Sequence, residues 1–261
     1  MISKPILRDI QSRFSFLLNM KTDLQRSLRN FRKHPFETEY EILKFLKPKG
    51  LCAIDIGANR GQSIDAIRLY HKTIPIHSFE PNKGLYDRLT AKFGVQDNLT
   101  LHNFGLGDKP QSSTLYIPYY RKFMYDGLSS FSKDRASGWL NEHSVWRFNP
   151  NLMRVESHLC HIEKLDKFAL SPFFIKIHVQ GFELSVLQGA EQTILSHNPV
   201  LLMANNKDAD IWLRAQGWTQ YVLRGNGSWQ ALKENDLSIY NCVYFNTEIQ
   251  EHRDIIKAIS A

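Results

Sequence analysis

Two residues with acid–base side chains stand at the end of a short apolar run in FFIKIHVQGFELSVLQGA, residues 173–190. His178 follows FFIKI, a strand-like run, and precedes an amphipathic helix pattern. Its imidazole titrates near neutral pH and can accept a proton. Lys176 lies two residues earlier, on the same side of a strand, and its ammonium would lower the pKa of the imidazole. We therefore expect His178 and Lys176 as catalytic candidates; the competing interpretation of Lys176 is an ion pair with Glu183 or another acid.

A second constellation is DIGANRG, residues 55–61, which follows an apolar run and precedes a helix pattern. Gly57 allows a tight turn that a Cβ would obstruct, and Gly61 would let the following helix approach the strand closely. The backbone N–H groups of such a turn suit a carboxylate or a phosphate. Glu80 ends the next strand 23 residues beyond Gly57, where a carboxylate can accept hydrogen bonds from both ribose hydroxyls of a nucleoside. The sequence therefore predicts a nucleotide-type cofactor site.

The residue types of this turn distinguish between cofactors. Asp55 stands where the G-x-G-x-x-G fingerprint of NAD-binding turns has its first glycine. A carboxylate there would repel a pyrophosphate, but it can lie near the cationic amino end of a methionine moiety, directly or through water. We therefore expect S-adenosylmethionine rather than NAD, and a glycine turn that binds no ligand is the remaining alternative.

The elements that must position these residues alternate between strands and helices. Helix patterns cover residues 83–93 and 182–196, among others, and apolar strand patterns lie between them. Such repeats build a mostly parallel sheet with helices on both faces, so the expected fold class is α/β. Residues 111–117 alternate like an extra hairpin strand. The last two strand-like runs, WTQYVLR and SIYNCVYF, have no helix between them and predict an antiparallel C-terminal hairpin.

These patterns together resemble one family, the FkbM-type S-adenosylmethionine-dependent methyltransferases. The resemblance rests on four motifs in the family's order: IDIGANRG (54–61), HSFEPN (77–82), HIEKLDKF (161–168) and FFIKIHVQGFELSVLQGA (173–190). It covers residues 50–245 and implies a class I methyltransferase fold, which is Rossmann-like. It also implies methyl transfer, commonly to a hydroxyl of a sugar or a natural product.

The resemblance also implies roles for individual residues. Glu80 would bind the ribose of S-adenosylmethionine. Asn103 and Asp108 flank the end of the third strand, where the family meets the adenine. The methionine end of the cofactor would be held by four residues of the glycine turn: Asp55, Gly57, Asn59 and Gly61.

The chain departs from the family pattern at two acidic positions. His178 stands where the family has an aspartate, and Ala204 and Asn205 lie where the next strand ends with a glutamate. His178 is then a general base for the acceptor hydroxyl, a positioning or structural histidine, or the mark of a site that no longer catalyses. Because hard divalent ions prefer carboxylate oxygens, we expect a metal-independent enzyme.

A long segment without clear periodicity, residues 118–151, interrupts the domain pattern and is rich in aromatic and basic residues. Segments of this length are often lids or binding loops, and aromatic faces suit sugar rings. Much of this aromatic material is also expected to pack a cap. The substrate-binding candidates are Tyr120, Ser129, Ser130, Trp139 and, as a second possible base, His143.

The N-terminal segment differs in character from the rest of the chain. Residues 1–34 hold eight basic and two acidic groups, hence six of the seven net positive charges. We interpret this segment as a basic amphipathic helical arm, and residues 35–261 as the methyltransferase domain. The arm predicts packing on its own domain, packing on a second copy in a homodimer, or contact with an anionic membrane surface. A heptad seam over residues 5–33 carries this prediction, with Leu7, Ile10, Phe14, Leu17, Lys21, Leu24, Leu28 and Phe31.

Composition limits the remaining function classes. No apolar run approaches the roughly 18 residues of a transmembrane helix, and the charged N-terminus has no signal-peptide pattern. The three cysteines show neither metal spacing nor a disulfide framework. We expect a cytoplasmic protein that binds a small-molecule or glycan substrate and no nucleic acid, because the body is nearly neutral. The two hypotheses are an O-methyltransferase and a catalytically degenerate relative that binds cofactor or glycan as an assembly module.

Overall fold

The computed structural model describes residues 4–14, 26, 29, 32–225, 227–232 and 241–260, and it confirms the α/β class. Its strands are β1 (Cys52–Ile56), β2 (Ile76–Phe79), β3 (Leu99–His102), β4 (Gly105–Leu106), β5 (Gln111–Tyr120), β6 (Phe123–Met124), β7 (Met153–Glu163), β8 (Pro172–Ile177), β9 (Val200–Ala204), β10 (Trp218–Leu223), β11 (Trp229–Ala231) and β12 (Asn241–Asn246). Its α-helices are α1 (Lys4–Arg13), α2 (Gln62–Tyr70), α3 (Lys83–Phe93), α4 (Lys133–Gly138), α5 (Glu183–Gly189), α6 (Glu191–His197), α7 (Lys207–Ala215) and α8 (Gln250–Ser260). A longer 3-10 helix covers Thr38–Phe45, ahead of β1.

The main sheet has the strand order β11-β10-β12-β9-β8-β1-β2-β3. Strands β3, β2, β1, β8 and β9 are parallel, so their carboxyl ends meet at one edge. Strand β12 pairs antiparallel with both β9 and β10, and β11 adds an antiparallel edge to β10. The two closing strand patterns therefore pair with each other, but the later one is inserted between β9 and β10.

Helices cover both faces of this sheet. One core contains apolar side chains of the 3-10 helix, α2, α3 and α8, and the other contains those of α5, α6 and α7. Neighbouring residues in a strand divide between the two cores, as Ala53 and Ile54 do in β1. Every residue of β1 and β8 is buried, as expected for parallel strands covered on both faces. The sheet is therefore a rigid support for the loops at its carboxyl edge.

The helix boundaries follow local capping chemistry. Helix α3 begins after Asn82, whose side chain accepts hydrogen bonds from two backbone N–H groups, and its bounds match the predicted 83–93. The single helix predicted over residues 182–196 is wrong, because the chain breaks into α5 and α6 at Ala190. The carboxylate of Asp166 accepts hydrogen bonds from the N–H groups of Gln192 and Thr193, so α6 begins with its own cap.

A second, four-stranded sheet has the order β4-β7-β5-β6 and carries the insertion. The predicted insertion bounds of 118–151 need correction, because β5 continues to Tyr120 and β7 begins at Met153. Pro118 resembles a strand end because it has no N–H group. Here it lies inside β5, where its carbonyl accepts a hydrogen bond from the N–H of Tyr125. The insertion is thus carried by a long β5–β7 hairpin.

Helix α1 of the arm packs against this insertion. Arg8 of α1 donates a hydrogen bond to the carbonyl of Ser144 and stacks its guanidinium 4.4 Å from the ring centroid of Trp139. Asp9 is buried between Arg13 and Arg121. Helix α1 therefore contacts its own domain. The seam positions Leu17, Lys21, Leu24, Leu28 and Phe31 lie outside the described residues.

Candidate functional site

A cavity of about 360 Å³ opens at the carboxyl edge of the main sheet. Gly57, Glu80 and His178, which follow or lie just beyond the ends of β1, β2 and β8, line one side of it. The insertion contributes Phe123, Asp126, Gly127, Ser129, Ser130 and Phe131 to the lining. Its volume lies in the range of about 300–1,000 Å³ that is typical of small-molecule sites, and open α/β sheets usually bind ligands at this edge.

The glycine turn is held by its own backbone. Gly57 has φ +81°, and a Cβ there would lie 2.2 Å from the carbonyl oxygen of His178, so the predicted need for glycine is confirmed. A Cβ on Gly61 would lie 2.5 Å from the ring of Phe93 in α3. The missing side chain therefore makes room for α3, whereas the sequence predicted that it would let the following helix, α2, approach the strand. The N–H groups of Gly57 and Ala58 both donate to the carbonyl of Phe79. These donors are used inside the protein, contrary to the expectation that they would face an anion.

Glu80 lies at the end of β2, as predicted, and is 6% exposed. Its carboxylate accepts hydrogen bonds from the N–H of Asn59 at 2.7 Å and from the N–H of Asn82 at 2.9 Å. Burial raises the pKa of Glu80 to about 7, although these two hydrogen bonds act in the opposite direction. Each oxygen keeps a lone pair, so the carboxylate can still accept from two hydroxyls of a ligand.

Asp55 does not lie where the sequence predicted. It is fully buried below the turn, where Ser63 and Ser78 donate hydrogen bonds to one oxygen at 2.7 and 2.8 Å. Its other oxygen forms an ion pair with the ammonium of Lys176 at 3.1 Å, without the alignment of a hydrogen bond. Asp55 therefore supports the turn from within and does not line the cavity. The prediction that it contacts the methionine end needs this correction.

Lys176 is a positioning residue in this geometry. Its ammonium donates hydrogen bonds to the carbonyls of Gly57 at 2.6 Å and Ile56 at 3.3 Å, in addition to its ion pair with Asp55. These contacts hold the ammonium between Asp55 and the two carbonyls of the turn. The predicted catalytic role is thus not supported. The alternative, an ion pair with Glu183 or another acid, is confirmed, and the acid is Asp55 rather than Glu183. Glu183 instead accepts hydrogen bonds from the N–H groups of the turn that follows β8.

His178 is partly buried and lines the cavity. Burial, followed by the charge of Lys176, lowers the pKa of His178 to about 4, and Asp55 opposes this shift. The predicted effect of Lys176 therefore operates, but burial is the larger cause. The side-chain amide nitrogen of Gln180 lies 2.9 Å from Nε2 of His178. The imidazole is neutral at neutral pH and has a fixed orientation.

The two residues expected near adenine are engaged within the protein. The side-chain amide of Asn103 donates to the backbone carbonyl oxygen of Glu80 at 3.0 Å. Asn103 therefore contacts the residue whose carboxylate is expected to bind the ribose. Asp108 accepts a hydrogen bond from the hydroxyl of Ser185 in α5 at 2.7 Å and does not line the cavity. Asn103 thus supports the site indirectly, and Asp108 lies outside it.

The insertion contributes only part of the predicted substrate set. Ser129 and Ser130 line the cavity, and the hydroxyl of Ser130 donates to the carbonyl of Gln180 at 3.0 Å. Three other predictions need correction. Tyr120 is fully buried and stacks on Phe148 in the core of the insertion. Trp139 packs under the arm, and the side chain of His143 is 88% exposed, so neither reaches the cavity.

Several lining residues have no signal in the sequence. Glu37 and Tyr40 come from the segment ahead of β1, and Arg60 forms an ion pair with Asp126 of the insertion. The Arg60–Asp126 pair joins the glycine turn to the insertion across the cavity. Arg60 belongs to the motif DIGANRG, but the spacing of Glu37, Tyr40 and Asp126 in the sequence does not indicate that they line the same cavity.

The described part of the chain contains no cluster of three or more His, Cys, Asp or Glu side chains that could hold a metal ion. Ala204 ends β9 as expected, and Asn205, next in the chain, accepts a hydrogen bond from Gln220. Within the same residues, no helix has both the length and the apolar character needed to cross a membrane.

The fold and the site together define a class I methyltransferase. The model of the FkbM methyltransferase domain matches residues 55–253, most of the chain. The chain therefore belongs to the FkbM methyltransferase family, whose members are S-adenosylmethionine-dependent methyltransferases. No curated protein sequence matches it.

Comparison with solved structures also finds other methyltransferases. One is methyltransferase FkbM from Methylobacillus flagellatus KT, with 16% identity and a TM-score of 0.45 over 75% of this chain and 43% of that protein. Precorrin-6y C5,15-methyltransferase from Geobacter metallireducens GS-15 has 14% identity and a TM-score of 0.41, over 80% of this chain and 87% of that one. TrmK of M. capricolum, solved with S-adenosyl-homocysteine, has 10% identity and a TM-score of 0.37, over 82% of this chain and 69% of that protein. This chain thus spans less than half of the Methylobacillus protein.

Proposed function

We propose that this protein is a metal-independent O-methyltransferase that binds S-adenosylmethionine in the cavity and methylates a hydroxyl of a sugar, glycan or related metabolite. One observation carries the proposal. The neutral imidazole of His178 shares a single cavity with the glycine turn and with the carboxylate of Glu80. A proton acceptor and a nucleoside-type site therefore face the same space.

The residues present fit the cofactor. Glu80 retains acceptor capacity for two ribose hydroxyls, and Gly57 leaves the surface of the turn free of a side chain. The apolar side chains of Ala58 and Leu85 line the cavity near Glu80. When bound, S-adenosylmethionine supplies an electrophilic methyl group on a sulfonium.

The chain's own residues supply the acid–base chemistry and the positioning. His178 would accept the proton that an acceptor hydroxyl loses as its oxygen becomes methylated. With a pKa of about 4, the imidazole is unprotonated at neutral pH. It can accept the proton at Nδ1 when the amide of Gln180 turns its oxygen toward the ring and accepts a hydrogen bond from Nε2–H. Holding the two reactants together in one cavity lowers the barrier further.

The proposed acceptor class follows from other residues of the lining. Leu115, Phe123 and Phe131 present apolar and aromatic surface, and Ser129 and Ser130 lie beside them. The hydroxyl of Ser129 is buried and has no hydrogen-bond partner among the described residues, so rotation of its side chain toward the cavity would offer it to a polar group of a ligand. Flat apolar faces next to hydroxyl groups suit a sugar ring.

The test has two stages with purified full-length protein. Isothermal titration calorimetry with S-adenosylmethionine and S-adenosylhomocysteine should show binding, and failure to bind at millimolar ligand would overturn the proposal. Transfer of a labelled methyl group to a panel of free sugars and oligosaccharides should then yield a base-stable ether. Methylation of carboxylates or amines alone would exclude the O-methylation part, and binding without turnover on any acceptor would favour a non-catalytic binding module.

A further inference from the structure

The methionine end of the cofactor needs a counter-charge that the glycine turn does not provide. Three carboxylates occur among the described residues that line the cavity: Glu37, Glu80 and Asp126. Asp126 is paired with Arg60, and Glu80 is held by two backbone N–H groups at the ribose end. Asp55 is fully buried behind Lys176. Glu37 is therefore the carboxylate of the cavity that remains for a cationic ligand group.

Glu37 enters the cavity from a different part of the fold than Glu80 does. It immediately precedes the 3-10 helix Thr38–Phe45, whose Tyr40 is 1% exposed and lines the same wall. Burial raises the pKa of Glu37, while the charge of Lys176 and a hydrogen bond with Asn241 act against that shift. The carboxylate thus lies toward the β8 and β12 side of the cavity.

The register of the sheet supports this placement. Lys176 lies in β8, and Asn241 begins β12, where it pairs with Ala204 of β9. Glu80 ends β2, on the other side of β1. A ligand whose ribose contacts Glu80 would extend across the glycine turn toward Glu37.

We propose that Glu37 binds the α-ammonium group of the methionine moiety of S-adenosylmethionine, the role that the sequence pattern had predicted for Asp55. This inference rests on the proposed cofactor. Glu37 is partly buried and forms no ion pair within the described part of the chain, so its carboxylate gains a charge-assisted hydrogen bond when an ammonium binds. Lys176 is paired with Asp55 and its ammonium donates to the carbonyls of Ile56 and Gly57, so Asp55 offsets part of its repulsion of a ligand ammonium.

Two ligands can be used to test the amino-acid end and the nucleoside end of the site separately. S-adenosylhomocysteine carries the amino-acid end, whereas 5′-methylthioadenosine has the same nucleoside and thioether without it. In calorimetry with full-length protein, Glu37→Gln should raise the Kd of S-adenosylhomocysteine about tenfold to a hundredfold. The Kd of 5′-methylthioadenosine should not change. Glu37→Asp, which keeps the charge and shortens its reach, should lose less affinity than Glu37→Gln.

Glu41→Gln is the matched control, since it removes an acid of the adjoining 3-10 helix that is paired with Lys44 outside the cavity. It should leave the affinities for both ligands unchanged, and circular dichroism should show that all variants are folded. Equal weakening of both ligands by Glu37→Gln, or no change in either, would overturn the inference while leaving the cofactor proposal intact. Failure of the unmodified protein to bind either ligand would overturn the proposed function itself.

Discussion

The carbonyl oxygen of His178 lies 2.2 Å from the position that a Cβ on Gly57 would occupy. The N–H of His178 also donates to the carbonyl of Ile56 at 3.0 Å. The backbone that carries the candidate base is therefore in direct contact with the glycine turn of the cofactor site. A change in the turn must move the histidine, so the two parts of the site form one mechanical unit.

Gly57→Ala tests this contact. The positive φ alone should cost about 1–2 kcal/mol, and the clash with His178 should add about 1–3 kcal/mol of overpacking. Urea unfolding should show the combined loss, and binding of S-adenosylhomocysteine should weaken. Gly50→Ala is a matched control, because Gly50 has the same φ of +81° with nothing near its missing Cβ. Equal losses of stability in the two variants would contradict the contact.

His178→Ala should reduce turnover about 10²–10⁴-fold and leave the Kd of S-adenosylhomocysteine unchanged, because the side chain acts on the acceptor proton. Because the pKa of His178 is about 4, the imidazole becomes protonated only as pH falls through about 4. The plot of turnover against pH should therefore show no loss of activity from this group near pH 6.5, the ordinary pKa of a histidine. His143→Ala, which removes an exposed imidazole away from the cavity, should have no effect. Unchanged turnover of His178→Ala would exclude it as the base.

The same depressed pKa of His178 affects stability. The unfolded chain binds the proton near pH 6.5 and the folded chain only near pH 4, so stability falls as pH falls across this interval. The free energy of unfolding from urea titrations at pH 7.5 and 5 should therefore differ less for His178→Ala than for the unmodified protein. A pH dependence that is identical in the two proteins would show that the imidazole is not depressed.

Lys176→Met should destabilise the fold by about 3–5 kcal/mol, because it leaves the buried charge of Asp55 without its partner. The double change with Asp55→Asn should recover much of that loss, since the amide oxygen can still accept from Ser63 and Ser78. Lys83→Met, which breaks an exposed pair with Asp87, should cost less than about 1 kcal/mol. Additive effects of the two single changes in urea unfolding would argue against the pair.

Features that depend on neighbouring residues could be predicted from the sequence. The turn at Gly57, the position of Glu80 and the start of α3 after Asn82 follow from local spacing, since each needs a residue type only a few positions away. The resemblance of the motifs also predicted the fold class. The family pattern does not depend on where the individual side chains point.

Features that depend on strand register could not be predicted. Asp55 and Lys176 are direct neighbours across β1 and β8, so their charges meet below the turn. Asp55 was predicted to contact the cofactor, and the sequence could not name Asp55 as the acid that pairs with Lys176. The 3-10 helix places Glu37 in the cavity, and the sequence ahead of β1 has no pattern that indicates this. The insertion has no period, so the sequence could not separate Ser129, which lines the cavity, from His143, which does not.

Binding of a nucleoside should depend on pH through Glu80. Its pKa of about 7 means that the carboxyl is about half protonated in the free protein at neutral pH. Two ribose hydroxyls that donate to the carboxylate would favour its ionised form, so binding should release a proton and strengthen as pH rises from 6 to 8. Calorimetry with 5′-methylthioadenosine, in two buffers of different ionisation enthalpy, measures the proton release without a contribution from the amino-acid end. Glu80→Gln should bind more weakly and without this pH dependence, whereas a pH-independent affinity in the unmodified protein would mean that Glu80 does not hold the ribose.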